Sequence, residues 1–339
     1  MNKMPIENGF YMPAEWEHHK GCWMEWPTRT ELWGKKIERA YQAYGRVAKA
    51  IAELEPITMI CNTGKEGEVR HYCGSKISII NFPHDDSWMR DNGPTFLINA
   101  KGETAGVAWG WNAWGNKYAS HHQDAKIAEG VLNHLSLPCF KAPLITEGGA
   151  IHVDGQGTLI TTESCLLNPN RNPGLTKKDI EEIFYNFLGI KKVIWLPGGV
   201  EDDDTDGHID EVAAFVKTGI VLALSTQDKN DGNYKILQEN IACLKKEKDA
   251  LNRSLEIIEI EQPNPRYLDD GRRMSLSYIN FYLPNKGVII PFFKDSKDQE
   301  AFDLFKKIFP DRKLVQLDAL DIVEGGGGIH CITQQQPKG

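Results

Sequence analysis

Three stretches of the 339-residue chain carry side chains able to do covalent or acid–base chemistry: DDSWMRDNGP (85–94), EDDDTDGHIDE (201–211) and GGGGIHC (325–331). The last ends on Cys331, just beyond four consecutive glycines. Ordering four glycines loses more backbone entropy than a structural segment normally carries, so the backbone there is expected to lie bare and close to a site. Cys331 is then a candidate nucleophile; the bland alternative is a flexible tail with an incidental cysteine. In GHIDEV, His208 and Asp210 stand two apart in an expected strand and would project from one face. A His and a carboxylate facing one cavity make a general acid/base beside an anion suited to a cation. Taken singly, His208 is equally a satisfied histidine at a strand start, and Asp91, before Gly93-Pro94, a loop cap.

The acidic run admits a rival reading. Asp202, Asp204, Asp206 and Gly207 fit the first six positions of a calcium-binding EF-hand loop, but its twelfth position, normally a bidentate Glu, is Ala213. Strands rather than helices are expected to follow, which leaves a solvated acidic loop as the simpler description.

These stretches must be positioned by the elements around them. TFLINAKGETAGVAW (95–109), AIHVDGQGTLITT (150–162), AAFVKTGIVLAL (213–224) and NFYLPNKGVIIPFF (280–293) each place two apolar runs around a Gly-containing turn and read as β-hairpins. Each is followed by a segment with apolar residues at three- and four-residue spacing, which predicts a one-sided helix, and then by a short strand. The N-terminal part supplies a fifth unit around the helix 37–54. Five repeats of hairpin, helix and strand argue for a closed ring of α/β modules forming one catalytic domain over 1–339. A doubly wound sheet would lack the hairpins. In a ring, IHCITQQ pairs with the N-terminal strands and the glycine-rich end lies at the centre.

Composition limits the partners. A net charge of −8 and no Lys/Arg block argue against nucleic acid, and a small cationic substrate is easier to reconcile. The first residues show no apolar signal region and no window approaches 18 apolar residues, so no membrane segment is expected and the chain reads as cytoplasmic. Seven cysteines without CxxC spacing argue against a disulfide framework or structural zinc, and six are expected to be small buried hydrophobes.

FYMPAEWEHHKGCWMEWP, DDSWMRDNGPTFLIN, WGWNAWGNKY, EGGAIHVDGQGTLITTESCLLNPNRNP, DTDGHIDEVAAFV and GGGGIHCITQQQP, in order along nearly the whole chain, resemble the agmatine deiminase family of the guanidine-modifying superfamily. The resemblance implies a five-module α/β propeller, the pentein fold. It implies hydrolysis of agmatine to N-carbamoylputrescine and ammonia without metal or organic cofactor, in an enzyme commonly homo-oligomeric. It assigns Cys331 as nucleophile, His208 as acid/base, and Asp91 and Asp210 as the carboxylates that hold the guanidinium. Asp204 is implied to meet the distal ammonium, and Trp88 and Gly328 to belong to the substrate site. Glu147, His152 and Asn112 are weaker candidates, and Trp26, Trp111 and Trp114 are as readily core residues as cleft residues.

The chemistry fits these assignments. A planar guanidinium offers forked N–H pairs that two carboxylates can fix before a thiolate, whose formation nearby positive charge favours. The run Glu201 to Asp206 would repel the α-carboxylate of free arginine, which favours agmatine but leaves a peptidyl-arginine side chain open. Two residues depart from the family pattern: Asp206 and Gly328 stand where asparagines are usual. Asp206 is expected to raise the pKa of His208 if the two are close. The alternatives are a deiminase of another guanidine, such as peptidyl-arginine, and a non-catalytic calcium-binding protein.

Overall fold

The computed structural model describes residues 4–339; the amino-terminal stretch read above for a signal segment begins in residues 1–3, outside the described ones. The strands form five sheets. The first holds β1 (His19–Glu25), β2 (Ile57–Cys61) and β3 (Ser78–Asn81), and the second β4 (Thr95–Ile98), β5 (Thr104–Gly110) and β6 (Cys139–Ile145). The third holds β7 (His152–Val153), β8 (Thr158–Thr162) and β9 (Lys192–Leu196), and the fourth β10 (Ala213–Lys217), β11 (Ile220–Ser225) and β12 (Glu256–Glu261). The fifth pairs β13 (Gly287–Phe292) with β14 (Lys313–Asp318).

Each module joins an antiparallel step to a parallel one. The pairs β1–β2, β5–β6, β8–β9, β11–β12 and β13–β14 are parallel. Parallel neighbours need a crossover, and each is bridged by a helix: Ile37–Ala52, Ile127–His134, Lys177–Leu188, Tyr234–Lys246 and Asp298–Ile308. The helices lie close to their sequence-expected positions because one stripe of each is apolar. In Ile37–Ala52 that stripe buries Ala40, Tyr44, Val47, Ala48 and Ile51. Lys177–Leu188 begins at a Thr176/Asp179 capping box and stops at Gly189, whose φ of +71° ends it in the left-handed region.

β4–β5, β7–β8 and β10–β11 are the expected hairpins. The fourth, over 280–293, is reduced to one bridge between Tyr282 and Ile289, because Pro284 removes a ladder donor from its first arm. The first module takes its antiparallel partner from the far end of the chain: β15 (Gln334–Pro337) lies beside β1, with Gln334 opposite Trp23 and Pro337 opposite His19. That pairing closes the five-module α/β propeller.

Two local expectations differ. His208 and Asp210 flank and occupy a 3-10 turn, Ile209–Glu211, and the strand begins only at Ala213. The carboxylate of Asp203 accepts the N–H groups of Gly207 and His208 and holds that segment in a loop. Cys331 likewise stands in a turn ahead of β15. Among the described residues no helix is long and apolar enough to cross a membrane. All seven cysteines are free; Cys139 and Cys243 are only half-buried, unlike the uniformly buried set expected.

Candidate active site

Each module sends inward the short segment preceding its antiparallel step. These are Met89–Asn92 before β4, Gly148–Ala150 before β7, Ile209–Glu211 before β10, residues 277–280 before the Tyr282 bridge, and residues 329–333 before β15. Asp91 and Cys331, from two of these segments, line one cavity together with Trp88, Trp114, Asp204 and Gly327, and Asp210, Glu211 and Asn280, from two others, reach the Cys331 sulfur.

The thiol of Cys331 is buried among acceptors. Its Sγ lies 3.7 Å from Asp210 Oδ2 and 4.0 Å from Glu211 Oε1, and Asn280 Nδ2 donates to it at 3.2 Å. Burial, then Asp210, Glu211 and Asp91, push this thiol well above its ordinary value. In the free protein the groups around the sulfur are the Asn280 amide and then the carboxyls of Asp210 and Glu211, so the positive charge expected to favour the thiolate is not among its hydrogen-bond partners.

Asp91 is held by neutral donors, the Gly149 N–H at 3.0 Å on Oδ1 and the Trp114 indole at 2.9 Å on Oδ2. Trp114 reaches it from a left-handed turn at φ +54°, uncommon for a bulky residue. Burial, with Asp210 and Glu147 adding and His208 opposing, brings Asp91 up to about 6. Asp210 has one oxygen anchored by His330 Nδ1 at 2.8 Å, while its other, Oδ1, is buried with no partner. Burial disfavours its charge, but His330 outweighs burial and Asp210 lies below the usual carboxylate range.

His208 is fully buried, with Nε2 3.4 Å from Glu147 Oε2 and Nδ1 3.7 Å from Asp91 Oδ1. Burial alone would make the ring neutral; Asp91 and Glu147 outweigh it and raise its pKa well above the ordinary histidine value. Glu147 is fixed in turn by Arg171 Nε at 2.7 Å. Gly149 lies between these groups. A Cβ there would stand 2.6 Å from His208 Nδ1, 2.8 Å from Asp91 Oδ1 and 3.0 Å from Asp210 Oδ2, so only glycine fits.

Several weaker expectations change. Asp206 does not act on His208, because its carboxylate is taken by Arg171 at 2.7 Å and Lys117 at 2.8 Å and is lowered, not left as a loose negative charge. Gly328 is not in the cavity wall; it packs on Asn280, and Gly325 to Gly327 line the cavity instead. Asn112 caps a turn and bonds Asn170, Trp26 stacks on Tyr41 in the core, and Trp111 packs edge-on against Trp114. His152 accepts the Phe215 N–H. The acidic run does not form a calcium loop. Asp202 accepts the Arg273 N–H, Asp203 caps its own loop, and Asp204 faces Arg272 at 3.3 Å.

Asn280 and Glu211 were not singled out from sequence. Asn280 had one available signal: it occupies the place before its module's bridge that Asp91, His208 and Cys331 occupy in theirs.

Residues 11–337 match the family model of the Porphyromonas-type peptidyl-arginine deiminases. The chain belongs to that family. Within and around it, a Legionella pneumophila relative is 51% identical over 100% of this chain and 98% of its own. The agmatine deiminase of Pseudomonas aeruginosa (strain LESB58) is 40% identical over 98% of this chain and 97% of its own. Among solved structures, the agmatine deiminase of Enterococcus faecalis superposes with a TM-score of 0.96 at 34% identity, covering 100% of this chain and 98% of that one. The family fold accounts for the five inward-facing segments and for the closure of the ring through β15.

Proposed function

We propose that the chain hydrolyses the guanidinium group of agmatine to N-carbamoylputrescine and ammonia, with Cys331 as nucleophile and His208 as acid/base. The observation that carries this is the anionic surround of a buried thiol. Asp210 and Glu211 approach the sulfur, Asp91 lines the same cavity, and Asp204 adds a further carboxylate to its lining. Such a site suits a substrate with a cation at each end.

The guanidinium docks between Asp91 and Asp210, whose free Oδ1 accepts one of its N–H groups. Its arrival replaces a field of negative charge by a neutralised one and lowers the thiol pKa, so the thiol proton is lost to solvent and Cys331 is the attacking thiolate at the moment the substrate is oriented, regaining a proton when the product leaves. Cys331 adds to the guanidinium carbon. His208, held charged by Asp91 and Glu147, gives its proton to the departing ammonia, and a covalent thiouronium intermediate remains. The neutral imidazole then takes a proton from water, which attacks the same carbon; collapse expels Cys331 and leaves the ureido product.

Asp204 receives the distal ammonium in exchange for Arg272, which it faces at 3.3 Å, and Trp88 packs along the methylenes. Free thiols fit a reducing cytoplasm, and a homo-oligomer is the assembly proposed, as in the family it resembles.

Ammonia and ureido product are measured from agmatine, arginine and a blocked arginine peptide, on wild type and Cys331→Ala. The expected result is turnover of agmatine that falls by at least about 10⁴-fold in the variant while agmatine still binds. Turnover of the blocked peptide alone would move the assignment to peptidyl-arginine. No turnover of any guanidine by folded wild type would end the deiminase reading.

A further inference from the structure

Behind Asp210 lies a line of buried charges that the chemistry above does not use. His330 Nδ1 is 2.8 Å from Asp210 Oδ2, and its Nε2 is 2.9 Å from Glu15 Oε2. A neutral imidazole has one N–H and an ionised carboxylate only accepts, so both contacts are hydrogen bonds together only when the ring is the imidazolium. Glu15 is itself held as an anion: Oε1 accepts the Leu283 N–H at 2.9 Å, and the Arg90 guanidinium lies 3.9 Å from Oε2. Arg90 is pinned by Gln335 at 2.7 Å and by the His330 carbonyl at 3.3 Å. The charges therefore alternate, Asp210 negative, His330 positive, Glu15 negative, Arg90 positive, and all four side chains are buried. Each cation is also the chain neighbour of a site residue, Arg90 of Asp91 and His330 of Cys331.

We propose that Glu15 and His330 are positioning residues for the site: an imidazolium clamped by Glu15 fixes one oxygen of Asp210 and keeps that carboxylate ionised, so that its other oxygen is presented to the substrate cation. The contrast with Asp91 supports this, since Asp91 takes its hydrogen bonds from neutral donors, has the His208 ring at 3.7 Å with no hydrogen bond to it, and rises to about 6. Burial opposes the charge on Glu15 and on His330, yet mutual attraction lowers the first and raises the second.

The other titratable groups around Asp210 do not replace the clamp. Cys331, Glu211 and Asp91 are acidic and oppose its ionisation; His208 and Arg90 favour it by charge alone, and His330 is the cation that also hydrogen-bonds it. Beside His330, the ring of His152 lies 6.3 Å away and is depressed to about 4 by burial, so it adds no charge at neutral pH.

The inference rests on the deiminase reading for its consequence in activity, but its charge state is testable without substrate. The first arm is ¹⁵N NMR of histidine-labelled full-length protein, with the His330 signals identified by their loss in His330→Gln. Wild type should show His330 as the doubly protonated ring at neutral pH, where an ordinary histidine is mostly neutral. Glu15→Gln keeps the acceptor for Leu283 but faces Nε2 with an N–H donor, and should convert His330 to the neutral ring. The second arm is the pH profile of agmatine turnover. Glu15→Gln should lose at least about tenfold in kcat/KM at pH 6 and much less at pH 8, because Asp210 then protonates more readily. A singly protonated His330 in wild type overturns the proposal even if Glu15→Gln does not fold. An equal loss at both pH values in folded Glu15→Gln reduces Glu15 to packing and also overturns it. If agmatine is not a substrate, the NMR arm still decides the clamp separately from the deiminase reading.

Discussion

Asp91 lines the cavity and Asp210 stands beside its Cys331 sulfur, each from a different module, and they differ in what stands behind them. Asp91, hydrogen-bonded by an amide and an indole with His208 at 3.7 Å, is up at about 6, whereas Asp210 is hydrogen-bonded by a histidine and stays low. Protonating Asp91 removes half of the proposed guanidinium clamp. Its folded value is raised, so the productive ionised form is lost as pH falls through about 6, and kcat/KM should drop about tenfold per unit below that point. On the alkaline side the raised His208 stays charged and the raised Cys331 gains thiolate, so the optimum should lie above neutrality. A profile of kcat/KM for agmatine between about pH 4.5 and pH 9 checks both limbs; a flat acid side down to about pH 4.5 would mean that Asp91 is not needed ionised.

The loop that carries His208 is an element with one organiser. Asp203 accepts from the Thr205 N–H and hydroxyl and from the N–H groups of Gly207 and His208, while its neighbour Asp202 meets only the Arg273 N–H. Asp203→Ala leaves several buried donors unmet and should destabilise by about 2 kcal/mol. It should also lower kcat on the order of tenfold by releasing the imidazole. Asp202→Ala should leave kcat unchanged. Thermal melts and turnover at saturating agmatine compare the two, and equal effects would deny Asp203 its special place. Hairpins, helices and the acidic loop were legible in the sequence because their signals are local: a Gly turn between apolar runs, a stripe of period 3.6, an aspartate ahead of backbone donors. The 3-10 turn at Ile209–Glu211 was not, since it is held by bonds to Asp203 that override the strand-like pattern of GHIDEV. Asp206 misled for the converse reason: near His208 in sequence, it is neutralised by Arg171 and Lys117 from other segments.

At the scale of the molecule, the site exists because five modules each deliver one short segment to the same place. Repetition made that much readable, including the meeting of Asp91, His208 and Cys331. What repetition could not disclose is which side chains touch behind the cavity: Glu15 and His330 stand 315 positions apart, and only the closed ring brings them to 2.9 Å. Removing residues 334–339 deletes β15, leaves β1 without its antiparallel neighbour, and frees the turn that carries Cys331. The truncated chain should lose more than about 4 kcal/mol in stability and all ammonia release, measured by denaturant unfolding and a turnover assay. Retained turnover would mean that the ring is held by something other than this strand pair. The same arrangement imposes an order in time. Of the five inward segments, the one bearing the thiol is the last to be translated, and the strand that seats it follows still later. On the ribosome, four modules can fold as they emerge while Cys331 is still unmade, so a nascent chain released early carries His208, Asp91 and Asp210 but not the proposed nucleophile.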